Sequence, residues 1–151
     1  MLICGIMSET TPLPRASRMK APFRVLAGVL FIGAGILHFV VPGKYEQIIP
    51  PGFPMPGMLV AISGMAEIVG GAGLLIRPLR RAAGWGLIAL LIAVFPANIF
   101  MAIHPERIAG LHMAPWLLWT RLPLQGVLIA WVYTVSLSKK PIGRRHEILP
   151  S

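Results

Sequence analysis

The stretch AAGWGLIALLIAVFPANIFMAI, Ala82 to Ile103, contains no ionisable side chain, and Asn98 is its one strongly polar group. About 20 apolar residues in a helix cross a hydrocarbon core about 30 Å thick, so this segment is long enough to span a bilayer. Working outward, Phe23 to Val41 carries only Arg24 and His38 as ionisable residues, Gly57 to Ile76 carries only Glu67, and Pro115 to Leu137 carries only Arg121 as a charged residue. The four segments predict an all-α fold, a four-helix transmembrane bundle formed by residues 21–138 as one domain. A disordered lead, 1–20, precedes it and a basic tail, 139–151, follows. Composition agrees, with 56% hydrophobic and 13% charged residues, where soluble domains carry about 25% charged residues. A water-soluble domain of 151 residues with so little polar surface would aggregate.

Orientation follows from the 14 Lys and Arg residues, because short loops rich in positive charge stay in the cytoplasm. Arg15, Arg18, Lys20 and Arg24 flank the first span, Arg77, Arg80 and Arg81 fill the middle loop, and Lys139, Lys140, Arg144 and Arg145 follow the fourth span. Only Lys44, Arg107 and Arg121 fall elsewhere. Both termini are therefore expected in the cytoplasm, with the lipid bilayer as the first partner. A net charge of +9 and a pI near 11.2 invite a nucleic-acid reading. The charge is split among short segments beside membrane spans, which is the positive-inside pattern and suits anionic headgroups, so no nucleic-acid partner is expected. The tail from Lys139 to Arg145 is a surface for lipid or for protein.

The lead contains Pro12 and Pro14 and is not read as a signal peptide, because the apolar run Met1 to Met7 is short and precedes the basic residues. Met7 and Met19 remain alternative starts. Cys4 is the only cysteine, which leaves no intramolecular disulfide or CxxC pair, and further thiol chemistry has to come from a partner.

Small residues show where helices can meet. Ala27, Gly28, Gly33, Ala34 and Gly35 lie in the first span, and Ser63, Gly64, Ala66, Gly70, Gly71 and Gly73 in the second, so these two spans are expected to pack closely. Pro96 should kink the third span near Asn98 by removing a backbone hydrogen bond. Pro123 would mark a late start of regular helix in the fourth. The segment Pro42 to Pro56, with Pro50, Pro51 and Pro54 between, is not helical throughout. Its Ile48, Ile49, Phe53 and Met55 lie on the membrane surface or dip into the bundle. Trp116 and Trp119 resemble an interfacial belt, and the outer segments together form a cap.

Charged groups within a membrane normally face a protein interior or cavity. Helix rise places Glu67 and Gln125 roughly 15 Å from the outer end, Arg121 roughly 9 Å, Asn98 roughly 8 Å and His38 roughly 5 Å. Arg121 and Gln125 share a helix face, and Glu67 and His38 have glycines or Ala34 on neighbouring turns. These positions predict one interior polar cluster of His38, Glu67, Asn98, Arg121 and Gln125, in which Arg121 reaches down to Glu67. Such a cluster either holds helix register or receives a polar headgroup, a quinone ring being the candidate, with His38 or Glu67 handling protons. Catalytic residues stay unassigned. A zinc or copper site from His38, His104 and His112 with Glu46 or Glu106 has suitable residue types, but the spacing matches no ligand motif, so no metal is assigned.

Arg24-Val25-Leu26-Ala27-Gly28 through His38-Phe39, Ser63-Gly64-Met65-Ala66-Glu67-Ile68 with its following glycines, Phe95-Pro96-Ala97-Asn98, and Trp116-Leu117-Leu118-Trp119 through Arg121-Leu122-Pro123-Leu124-Gln125 resemble the DoxX family in order and spacing. The resemblance covers Arg24 to Trp131. It implies a four-helix protein of the bacterial inner membrane, whose relatives include subunits of a thiosulfate:quinone oxidoreductase and proteins associated with membrane redox or oxidative-stress complexes. It carries over no catalytic residue. Three function classes follow in order: an accessory subunit with a redox-protein partner or a second copy of itself, a quinone-linked oxidoreductase subunit, and a small-solute transporter. Transport ranks last because the sequence lacks an internal repeat.

The orientation is testable with Cys4→Ser as background. In intact cells a membrane-impermeant maleimide should modify a cysteine replacing Lys44 and spare one replacing Arg81 until the cells are opened. Labelling in the reverse order would invert the topology.

Overall fold

The computed structural model describes residues 15–107 and 114–138, and every regular element among them is helical. Helix α1 runs Arg15–Val40, α2 Pro42–Glu46, α3 Pro56–Leu75, α4 Arg80–Ile103 and α5 Pro115–Ser136, with 3-10 turns at Arg77–Leu79 and Pro105–Arg107. Lys20–Val40, Pro56–Leu75 and Arg77–Ile103 are long and apolar enough to cross a membrane. Helix α5 has comparable length, but Arg121, Pro123 and Gln125 dilute its apolar content and it is not among the three. Cys4, His112 and the basic tail from Lys139 lie outside the described residues.

The helices depart from the sequence expectation in two places. Helix α1 starts at Arg15, so residues 15–20 are helical and not part of an irregular lead; Arg, Ala, Met and Lys are good helix formers, and the helix continues through Pro22 into the apolar run at the loss of one N–H. Helix α5 is regular from Pro115 and continues through Pro123. The proline there removes one N–H from an otherwise intact ladder, which membrane helices tolerate. Between α1 and α3 the chain stops at Val41 and restarts at once, because Pro42 sits in the first turn of α2, where its missing N–H and fixed φ cost little. Gly52, at φ 107, turns the chain back toward α3 in a conformation that side chains resist.

Antiparallel packing of α1 on α3 is the most extensive helix contact, and glycine makes it possible. A Cβ on Gly35 would lie 2.5 Å from the Gly64 carbonyl oxygen, and one on Gly71 would lie 2.7 Å from the Gly28 carbonyl oxygen. Seven residues separate the two contacts on each helix, so one stripe serves both. The opposite side of α3 repeats the device toward α4: a Cβ on Gly70 would strike Leu87, and one on Gly73 would strike Ala83. Helix α4 then packs on α5, and α5 returns to α1.

Two apolar cores result. Ala27, Phe31, Leu74, Leu87, Ile88, Leu91 and Val132 form the larger, while Met101, Ala102 and Leu118 form the smaller, covered by Ile48 from the segment before α3. That segment therefore dips onto the helix ends through Ile48, while Phe53 and Met55 stay exposed. The outward faces are apolar along all four long helices, with Val29, Leu30, Ile62, Val69, Ile92, Leu124 and Val127 each about half exposed or more. Exposed apolar area on that scale marks a surface made for something other than water.

Gly64→Leu or Gly35→Ile should lower unfolding free energy in detergent by about 1–3 kcal/mol through overpacking. Gly33→Leu meets open space and should be neutral or slightly stabilising through helix propensity. Equal losses at all three positions would mean that close backbone approach is not what joins α1 to α3.

Candidate functional site

Side chains in a helix lean toward its N-terminus. Because α1 and α3 are antiparallel, His38 near the end of α1 leans back along the span while Glu67 leans toward the start of α3. The two converge, although helix rise alone puts them at different depths. His38 Nδ1 lies 2.9 Å from the Ala34 carbonyl and 3.5 Å from Glu67 Oε2. A carbonyl only accepts, so Nδ1 carries the proton and donates it there. Glu67 Oε2 is buried and has no hydrogen-bond partner. A buried acceptor in that condition costs about 1–3 kcal/mol, more when charged. Gly64 makes room for this arrangement, since a Cβ there would lie 2.7 Å from His38 Cβ.

Tyr45 of α2 completes the group, its ring stacked on His38 with centroids 3.9 Å apart and planes 24° from parallel. Burial pushes its phenol above the usual tyrosine value, the Glu67 carboxylate adds to the rise, and Arg121 opposes it. Tyr45 thus stays a neutral proton donor at physiological pH. Sequence reasoning missed it. The available signal was that His38 and Tyr45 are seven apart, two helical turns, if Pro42 is taken as a restart and not as a stop.

The second group joins α4 to α5. Asn98 Nδ2 donates to Gln125 Oε1 at 2.9 Å, and Gln125 Nε2 donates to the Leu91 carbonyl. Pro96 lies inside α4 and removes the N–H that would serve the Ile92 carbonyl, so Gln125 enters the carbonyl ladder next to the turn that proline weakens. Gln125 is 4% exposed. Beside it a lateral groove of about 240 Å³ is lined by Ile92, Phe95, Leu122, Gln125, Gly126 and Ile129.

Arg121 does not join Glu67. It is exposed, and its Nη1 lies 3.5 Å from Met101 Sδ. Helix α3 has α1 and α4 as its main neighbours, whereas α5 packs on α4 and α1, so Arg121 starts from the wrong side to reach an α3 carboxylate. Its charge is felt at Tyr45 instead. The five expected residues therefore resolve into a His38–Glu67 group, an Asn98–Gln125 group, and Arg121 at the rim. His104 lies elsewhere, 3.2 Å from Glu106 Oε1, with Arg107 5.7 Å from the Phe100 ring centre. Among the described residues no three His, Cys, Asp or Glu side chains meet as metal ligands.

These features define the class: among the described residues, an all-helical protein with three helices of membrane-spanning length and polar pairs joining α1 to α3 and α4 to α5. The chain belongs to the family described as Domain of unknown function (DUF8561), whose family model matches residues 26–136. That interval contains all five candidate residues and Tyr45. No curated protein and no solved structure matches the chain.

Gln125→Leu leaves the Asn98 amide without its partner and removes the second donor to the Leu91 carbonyl, and should lower stability in detergent by about 0.6–1.7 kcal/mol, the range of polar contacts between membrane helices. Arg121→Gln should stay within about 0.5 kcal/mol, as surface substitutions do. A loss at Arg121 equal to that of Glu67→Gln, relieved by exchanging the two charges, would restore the direct ion pair.

Proposed function

We propose that the chain is a four-span integral protein of the bacterial inner membrane, with both termini in the cytoplasm, acting as an accessory subunit of a membrane redox system. The fourth span is α5. Its Trp116, Trp119, Leu124, Val127 and Tyr133 are exposed, which suits lipid along its length and an aromatic belt at one end. The observation that carries the accessory role is how the interior polar groups are used. Asn98, Gln125 and the Leu91 carbonyl satisfy one another, as residues that fix helix register do. The resemblance to DoxX proteins supplies the redox setting, with a soluble redox protein or a second copy of the chain as partner.

One observation favours a second reading, a quinone-linked oxidoreductase subunit. Glu67 Oε2 is a buried acceptor without a donor, next to His38 and the phenol of Tyr45. A quinol hydroxyl would supply the missing donor, and Tyr45 could donate to a quinone carbonyl.

Native mass spectrometry of the protein extracted gently from its own membranes separates the two. A protein partner retained without a small molecule is the expected result. A retained quinone that disappears with Glu67→Gln or His38→Ala would replace the accessory role by the oxidoreductase role. Solute uptake into proteoliposomes by the isolated chain would overturn both.

A further inference from the structure

At the end of the helices opposite the His38–Glu67 group, basic residues from three segments meet. Arg80 in the first turn of α4 is half-buried and donates from Nε to the Leu74 carbonyl at 3.2 Å. It thereby holds the C-terminal end of α3, where a positive charge is favoured. Arg24 of α1 and Arg77 of the Arg77–Leu79 turn are close enough to act electrostatically on it. One turn before Arg24, Lys20 donates to the Ser138 hydroxyl just beyond α5, so α1 and the chain after α5 are tied at this same end.

Like charges so placed repel, and nothing answers them. The carboxylates among the described residues are Glu46 in α2, Glu67 within α3 and Glu106 in the Pro105–Arg107 turn, none of them at this end. Among the described residues Arg24 and Arg77 make no hydrogen bond or ion pair, and Arg80 uses only Nε. Their guanidinium forks are free for a planar or tetrahedral oxyanion. Positive-inside bias asks only that charge lie on one side of the membrane. It does not ask that arginines from two other segments lie within electrostatic reach of Arg80. The wall beside them is apolar, with Phe23, Leu75, Ile76 and Leu79 all exposed. A cationic nest joined to an apolar wall fits an amphiphile better than a free ion.

We propose that Arg24, Arg77 and Arg80, with Lys20 beside them, bind the phosphodiester headgroup of an anionic glycerophospholipid whose acyl chains cover Phe23, Leu75, Ile76 and Leu79. The site rests on the membrane placement argued above and is independent of the redox role.

The test uses the full-length protein in mild detergent, incubated with phosphatidylglycerol or phosphatidylcholine, with retained lipid counted by native mass spectrometry. Phosphatidylglycerol should be retained in preference. Retention should fall about fivefold for each arginine neutralised in Arg24→Gln, Arg77→Gln and their double variant. Lys44→Gln, at the other end, should leave it unchanged, and millimolar inorganic phosphate should not displace the lipid. Equal retention of the two lipids, or undiminished retention by the double variant, overturns the site. Displacement by inorganic phosphate makes it a free-phosphate site instead. If the double variant fails to fold, the exposed single variant Arg77→Gln provides the same comparison. Extraction with alkaline carbonate separates the two levels: a protein that resists extraction but shows no lipid preference loses only the lipid site, and one released by carbonate loses its membrane placement too.

Discussion

The contact on which the rest depends is the approach of two helix backbones at glycine, Gly28 against Gly71 and Gly35 against Gly64. In lipid, apolar side chains gain nothing by leaving one apolar medium for another, so helices are joined by packing and polar contacts. Carbonyl oxygens of one helix lying where a Cβ of the other would be represent the closest packing that the backbone allows. The stripe also has a chemical consequence. Gly64 faces both the Gly35 carbonyl and His38 Cβ, so the atom missing from residue 64 lets the imidazole lie against α3 within reach of Glu67. Packing and polar site share one glycine, and neither can change without the other.

Helix α3 works as a partition with two smooth sides. Gly64 and Gly71 serve α1, while Gly70 and Gly73 serve α4. Polar contacts divide accordingly. The His38–Glu67 group belongs to the α1–α3 seam and the Asn98–Gln125 group to the α4–α5 seam. The Asn98–Gln125 group lies, along α4 and α5, between the larger core around Leu87 and Val132 and the smaller one around Met101 and Leu118. A polar pair between two apolar layers is a register device: sliding α4 or α5 by one turn would bring a polar group into an apolar core and leave its partner unpaired.

Much of this was legible in residue types. Apolar segments of spanning length gave the helices, and the glycines of the first two spans indicated which pair would pack most closely. Pro96 and Asn98 marked the turn of α4 at which the ladder loses a donor and a polar side chain stands. Depth along a helix was less informative. Counting rise placed His38 and Glu67 at different levels, and only the lean of side chains in antiparallel helices brings them together. Arg121 was misjudged for a related reason: depth says nothing about which helices are neighbours, and α5 meets α4 and α1 instead of α3. Tyr45 was hidden behind Pro42, whose strength as a helix breaker obscured its fitness as a helix starter.

What distinguishes the two polar groups is completeness. Gln125 both accepts from Asn98 and donates to the Leu91 carbonyl, so that group is closed. The other is open: His38 spends its proton on the Ala34 carbonyl, Tyr45 meets it by its ring face, and Glu67 Oε2 is left buried without a donor. A fold that needed only register could have used a second Asn–Gln pair and avoided burying a carboxyl group. Retaining an acid with one oxygen unanswered lowers the stability of the α1–α3 seam unless a proton or a hydroxyl arrives there. Any chemistry carried by this chain is therefore to be sought at Glu67, with Asn98 and Gln125 as the fixed frame beside it.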